Sequence, residues 1–353
     1  MPTQSFPACR RFSSPILLAA TCFALLSPSF HTVTTILAAD APAAFVGNWA
    51  LTIPGGGAGW LGIVEKEGNL QGTILWGGGS VLPVDGVRVE GDKLIVTRVR
   101  EAKRKDKAGV ETMVPITTTI TGSLSGEKLD LTLVTTNEKG KPLGAVAEFK
   151  GQRIPPLPPA PDLSQVKFGE PIELFNGKDL SGWEVTSPDL PNGWSAKDGV
   201  LVNHAPQEEG GPHKRYTNIR TQREFEDFQL TLETRVPEKG NSGVYLRGIY
   251  EVQISDTQGQ PLDAHNMGAI YSRIAPTVAA EKPAGQWQSM KITLVDRHVT
   301  VVLNGETIID NQPILGCTGG AMWSDEFRPG PIYLQGDHTS VEYRNMVLRP
   351  VGE

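Results

Sequence analysis

Cysteine is scarce in this chain. There are three in 353 residues, and two of them, Cys9 and Cys22, fall in an amino-terminal stretch with the layout of an export signal. Loss of that stretch leaves Cys317 alone, so no intrachain disulfide can form and apolar cores must hold the fold. No sequence neighbour of Cys317 resembles an activating base, which argues against a thiol nucleophile. Positive charge is not in excess either: the formal net charge is −6, and removing Arg10 and Arg11 with the signal makes the mature chain more acidic. A basic nucleic-acid-binding surface is therefore not expected. No apolar run is long enough to span a bilayer. The longest, 15–26, follows Arg10 and Arg11 and precedes the small residues Ala38, Ala39 and Ala41. That pattern predicts a cleaved signal over residues 1–39 and a periplasmic or extracellular protein.

Proline, by contrast, is concentrated at one place. Residues 154–161 hold five prolines in eight positions, which forbids helix and favours an extended spacer. The spacer region 153–167 separates two parts, each with strand signals rather than helical periodicity. Residues 44–152 read as about eight strands (45–53, 60–65, 70–76, 81–89, 93–100, 113–122, 128–135 and 146–151), the right number for a small closed barrel. Gly47-Asn48-Trp49 resembles the Gly-x-Trp signature of the lipocalin and avidin group, in which the tryptophan plugs one end of such a barrel. An accessory scaffold is the preferred role over a ligand pocket. The basic run from Arg98 to Lys107 is expected at a solvated hairpin tip.

Residues 168–350 form the second β-rich domain. Val299 to Leu303, then Asn304-Gly305, then Thr307 to Ile309 predict a tight hairpin, because Asn-Gly supplies two positive-φ positions. Many short antiparallel strands predict a two-sheet sandwich. The segment 241–256 alternates. Val244, Leu246, Tyr250, Val252 and Ile254 read as core, while Tyr245, Arg247, Glu251 and Gln253 occupy the opposite face. A polar row of this kind suits a sugar-binding surface, and its bland alternative is a solvated sheet face.

Several separated motifs then agree in order. Leu174-Phe175-Asn176-Gly177-Lys178-Asp179-Leu180-Ser181-Gly182-Trp183, the 241–256 strand, Gly268-Ala269-Ile270-Tyr271, Lys282-Pro283-Ala284-Gly285-Gln286-Trp287 and Leu303-Asn304-Gly305 together resemble the 3-keto-disaccharide hydrolase family. The resemblance covers nearly all of 170–350. It implies the concanavalin-like jelly roll shared with laminarinases and lectin-type modules, and hence an all-β protein with a small N-terminal barrel and a carbohydrate ligand. It also implies a substrate oxidised at C3, which a sugar C3 oxidoreductase would have to supply. The paired carboxylates of laminarinase-like glucanases are missing: the row is Glu251, Gln253, Ser255, and Asp256 has the opposite parity. A ketone at C3 opens another route, since it acidifies the proton on C2 and the glycosidic oxygen lies β to it. One base can then eliminate the aglycone, and hydration gives net hydrolysis.

Glu251 and His338 are the expected catalytic residues, His338 because it follows Asp337 at a strand end. Arg247, Gln253, Tyr271, Trp323 and Gln335 are candidate sugar contacts. Asp256, His265 and Asp337 are further candidates for acid, base or metal work. His204 and His213 flank a Gly- and Glu-rich stretch, yet match no strong metal spacing. A divalent cation, calcium or a transition metal, is compatible with this chemistry, with ligands left open. Two rivals remain: a non-catalytic, lectin-like carbohydrate-binding module, and a laminarinase-like glucanase.

Overall fold

The computed structural model describes residues 42–105, 109, 111–208 and 210–352. The export signal expected over 1–39, with Cys9 and Cys22, lies outside the described residues. Among the described residues no helix is long and apolar enough to cross a membrane. The protein is all-β: a small barrel followed by a jelly-roll sandwich.

The barrel is an up-and-down meander of nine antiparallel strands running from Gly47–Thr52 to Ala147–Ile154, and its first and last strands pair with each other, Trp49 opposite Arg153. Its two outer edges meet through consecutive residues. Val84 N donates to Gly72 O and Asp85 N to Thr97 O, so the chain itself bridges the strands Asn69–Trp76 and Lys93–Lys105. Closure of this kind leaves little exposed edge for further pairing. Trp49, Leu61, Ile74, Leu94, Ile120 and Leu129 fill the interior, as the period-two alternation dictates. Trp49 is fully buried, its indole nitrogen donates to Phe45 O, and the Arg153 guanidinium lies 4.1 Å above its ring. The basic run differs from expectation. Strand pairing continues to Lys105 opposite Glu111, so the outer cations sit on an exposed hairpin arm, where Lys103 and Lys105 pair with Glu111 and Arg104 with Glu138 of a neighbouring loop.

In the sandwich, one sheet carries the long strands Phe228–Arg235, Gln288–Val295 and Val341–Pro350, and the other consists of Trp183–Val185, Ile219–Thr221, Tyr333–Leu334, Asn241–Leu246 and Tyr250–Ser255. Val244, Leu246, Val252, Ile254 and Leu334 point into the core between the sheets and are fully buried. The Asn304-Gly305 hairpin forms as expected, with φ of 52° and 94° and Leu303 paired to Glu306. The neighbouring turn at Asp296-Arg297 has the same left-handed pair of conformations without a glycine, φ 48° and 59°. It turns Arg297 toward the proline-rich segment, where the guanidinium donates to the carbonyls of Pro155 and Pro156. Asn311 holds Pro161 in the same manner. These bonds anchor the segment along the sandwich.

The barrel packs directly on the sandwich. Trp60 has the opposite parity to inward-facing Leu61, so it leaves the barrel and is 5 % exposed within the sandwich's own apolar cluster. The Arg273 guanidinium stacks 4.2 Å from its ring. A Cβ on Gly316 would lie 2.2 Å from the indole, so only glycine permits this approach. Cys317 sits beneath, 1 % exposed, and burial pushes its thiol up to about 12, the character of an inert core cysteine.

Candidate active site

The outer face of the shorter sandwich sheet carries the polar row. Tyr245 pairs with Glu251 on one side and with Tyr333 on the other, and Gly243 pairs with Gln253. Three adjacent strands therefore set Glu251, Tyr245 and Tyr333 side by side, with the two tyrosine rings 4.6 Å apart. A cavity of about 360 Å³ opens over this row, lined also by Gln253, Tyr271, Gln335, Asp337 and His338. Thus Glu251, Gln253, Tyr271, Gln335, Asp337 and His338, candidates scattered over 88 positions of sequence, share one pocket.

Glu251 is 3 % exposed. Its carboxylate fits only because position 243 is glycine, where a Cβ would come within 2.3 Å of Oε1. Burial raises its pKa to about 8, and the charge of Asp337 adds to the rise. The Tyr245 hydroxyl donates to Gly319 O at 2.8 Å. Tyr333 accepts from Asn218 Nδ2 at 2.5 Å, which leaves its own proton free to point at a ligand. The side-chain oxygens of Gln253 and Gln335 are buried without hydrogen-bond partners. Buried acceptors of that kind match the hydroxyl donors of a sugar.

At the pocket's edge His338 bonds Asp337 through Nδ1 at 2.7 Å. Burial alone would raise Asp337, but this hydrogen bond and the charges of His338 and His213 outweigh it and hold the carboxyl below its usual range. His213 lies against His338, with ring centroids 5.5 Å apart. His213, Asp337 and His338 each offer one ligand atom within 4.8 Å of the others. Two imidazoles and one carboxylate fit a transition metal better than calcium, which prefers an all-oxygen shell. His204 is exposed and outside this group.

Other sequence candidates lie elsewhere. Arg247 is not on the polar row, because the chain turns at Arg247-Gly248 with φ of 55° and 69°. Left-handed geometry breaks the alternation, and the buried guanidinium instead donates to the carbonyls of Glu326 and Arg328. Trp323 does not line the pocket either; Arg328 stacks on it at 3.9 Å. Asp256 ends the strand and accepts from Lys239 N, a local cap. His265 is close but peripheral. Its Nε2 is 2.9 Å from Ser80 Oγ of the barrel, and its ring meets Tyr271 edge-on. Tyr245 was legible on the correct face, whereas Arg215, Asn218 and the barrel residues Gly78 and Gly79 carried no local signal for a place in this pocket.

A family model, described as a 3-keto-alpha-glucoside-1,2-lyase-like domain, matches residues 170–349. The chain belongs to this family. A 3-keto-disaccharide hydrolase of Bacteroides thetaiotaomicron is 25 % identical in an alignment 173 positions long that covers 39 % of this chain and 57 % of that protein. The chain thus aligns with little more than half of that family relative's length. Among solved structures, a Parabacteroides distasonis ATCC 8503 protein covers 52 % of this chain and 94 % of its own, at 24 % identity and a TM-score of 0.41. A β-1,3-1,4-glucanase derived from a mouse hindgut metagenome covers 49 % of this chain and 94 % of its own, at 11 % identity and a TM-score of 0.28.

Proposed function

We propose that this protein cleaves glycosides already oxidised at C3, by elimination across C1 and C2 followed by hydration. The observation that carries the reading is a single buried carboxylate of raised pKa, Glu251, facing a sugar-sized polar pocket in a chain of this family. Two-carboxylate hydrolysis needs a second acid at short range. The other carboxylate lining the pocket, Asp337, is already engaged by His338.

In the proposed reaction Glu251 takes the proton from C2, and the electron pair becomes the enolate on C3. The Tyr333 hydroxyl stands ready to donate to that oxygen, a preorganised contact of the kind that stabilises developing charge. The C3 carbonyl re-forms, a C1–C2 double bond appears, and the C1–O bond breaks to release the aglycone, whose oxygen takes a proton. Water then adds its hydroxyl to C1 and a proton to C2, giving the free 3-keto sugar. Gln253 and Gln335 hold ring hydroxyls during both halves. His213, Asp337 and His338 are the residues that would hold a divalent cation, which would supply Lewis-acid stabilisation of the oxygens on C2 and C3. On this reading a C3 oxidase or dehydrogenase would furnish the substrate.

The test is direct. Methyl 3-keto-glucoside should be cleaved and its unoxidised parent left intact under the same conditions; equal cleavage of both would favour a glucanase, and binding without cleavage a lectin. The cation reading predicts that Zn²⁺ or Mn²⁺ binds the chelator-treated protein with a stoichiometry near one by calorimetry, and that His213→Ala reduces this affinity at least tenfold. Unchanged binding in that variant would place the ion elsewhere.

A further inference from the structure

A second cavity, of about 560 Å³, opens at the rim of the barrel. It shares Gly78 and Gly79 with the pocket over Glu251, so the two cavities adjoin across one loop. That partition is main chain only. A Cβ on Gly319 would lie 2.1 Å from Gly79 O, which fixes the loop against the sandwich backbone, and Gly320 N donates to Gly77 O. Ser80 Oγ bonds His265, and Val81 N donates to Ser272 Oγ at 2.9 Å. The loop is therefore clamped at four places, and the two cavities keep a fixed relation.

The composition of the second cavity is specific. Along the strand Lys93–Lys105, the inward row passes from Leu94 and Val96 in the barrel core to Arg98 and Arg100 at the rim. Trp76, Ile120 and Leu133 supply an apolar wall. Among the described residues neither arginine makes an ion pair or a side-chain hydrogen bond, whereas Arg104 on the same strand is paired with Glu138. Two unneutralised guanidinium groups over an apolar wall form a site for a flat apolar body carrying an anionic group.

We infer that the barrel rim is the leaving-group subsite: the C3-oxidised ring sits over Glu251, and its aglycone, apolar and anionic, crosses the Gly78-Gly79 partition into the barrel. This deepens the proposed function and rests on it for the sugar's placement. The barrel would then set specificity for the group that is expelled.

The experiment compares two 3-keto-glucosides, one of 4-hydroxybenzoate and one of methanol, in the full chain and in an Arg98→Ala/Arg100→Ala variant. Both arginines are at least partly exposed, so an unchanged melting temperature serves as the folding control. The inference predicts a KM for the benzoate at least tenfold higher in the variant, kcat within twofold, and the methyl substrate unaffected. Equal behaviour of the two substrates in both proteins would overturn it. Calorimetry with free 4-hydroxybenzoate, against uncharged 4-hydroxybenzyl alcohol, provides an arm independent of catalysis. Binding of the acid that the variant loses supports the subsite even if no 3-keto glycoside is cleaved, in which case the lyase reading alone fails. No binding of either probe overturns the subsite.

Discussion

Replacing Glu251 with glutamine is expected to lower kcat on a 3-keto glucoside by at least about a thousandfold, with substrate affinity changed by less than about fivefold. The amide preserves shape and hydrogen-bonding reach but cannot take a proton. The same substitution should make the protein more stable in alkaline solution. Burial raises the folded-state pKa of Glu251 from 4.5 to about 8. A raised pKa means that the stability of the neutral form is fully present below about pH 4.5 and is lost as the pH climbs toward 8. Glutamine never ionises, so its advantage over the native residue should grow through that window and level off near pH 9, at about 3–5 kcal/mol. Activity of the native enzyme should rise over the same window, because the base must be ionised to act. Denaturant melts at pH 5 and pH 9 check the stability claim. A glutamine variant that gains nothing between those two values would show that Glu251 is not a buried acid of raised pKa.

Trp60→Ala should have the largest effect on folding. Removing a buried indole leaves a cavity and typically costs about 3–5 kcal/mol. Here the ring is the barrel's main anchor in the sandwich, stacked under Arg273 and against Gly316. Calorimetry should show one melting transition for the native protein and two for the variant, one for each part. Activity should fall as well, since the loop Gly77–Ser80 would lose its seating beside the site. A loss below about 1 kcal/mol with an undivided transition would contradict this docking.

Much of the site was written in one strand. Alternation alone put Glu251 and Gln253 on a common face, and the Asn304-Gly305 turn followed from an equally local rule, whereas the barrel was expected with about eight strands and has nine, closed by pairing its first strand with its last. Arg247 failed for a local reason too: two left-handed residues turn the chain at the strand end, and parity has no meaning there. Trp323 and Asp256 were plausible by type alone, and each is engaged elsewhere: Arg328 stacks on the Trp323 ring and Lys239 N donates to Asp256. The placement of His213 beside His338 depends on a tertiary approach that spacing cannot encode. The barrel's part in the pocket was hidden for the same reason. Its decisive residues are glycines, which carry no chemistry of their own and matter only for how closely two backbones meet.

In the proposed reaction everything depends on removal of the C2 proton by Glu251. The measurement that tests it most directly is turnover of methyl 3-keto-glucoside in heavy water, with C2 followed by NMR in the native enzyme and in Glu251→Gln. The account predicts deuterium at C2 of the released sugar with the native enzyme, and neither release nor exchange with the variant. Release of methanol by the variant at the native rate would contradict it.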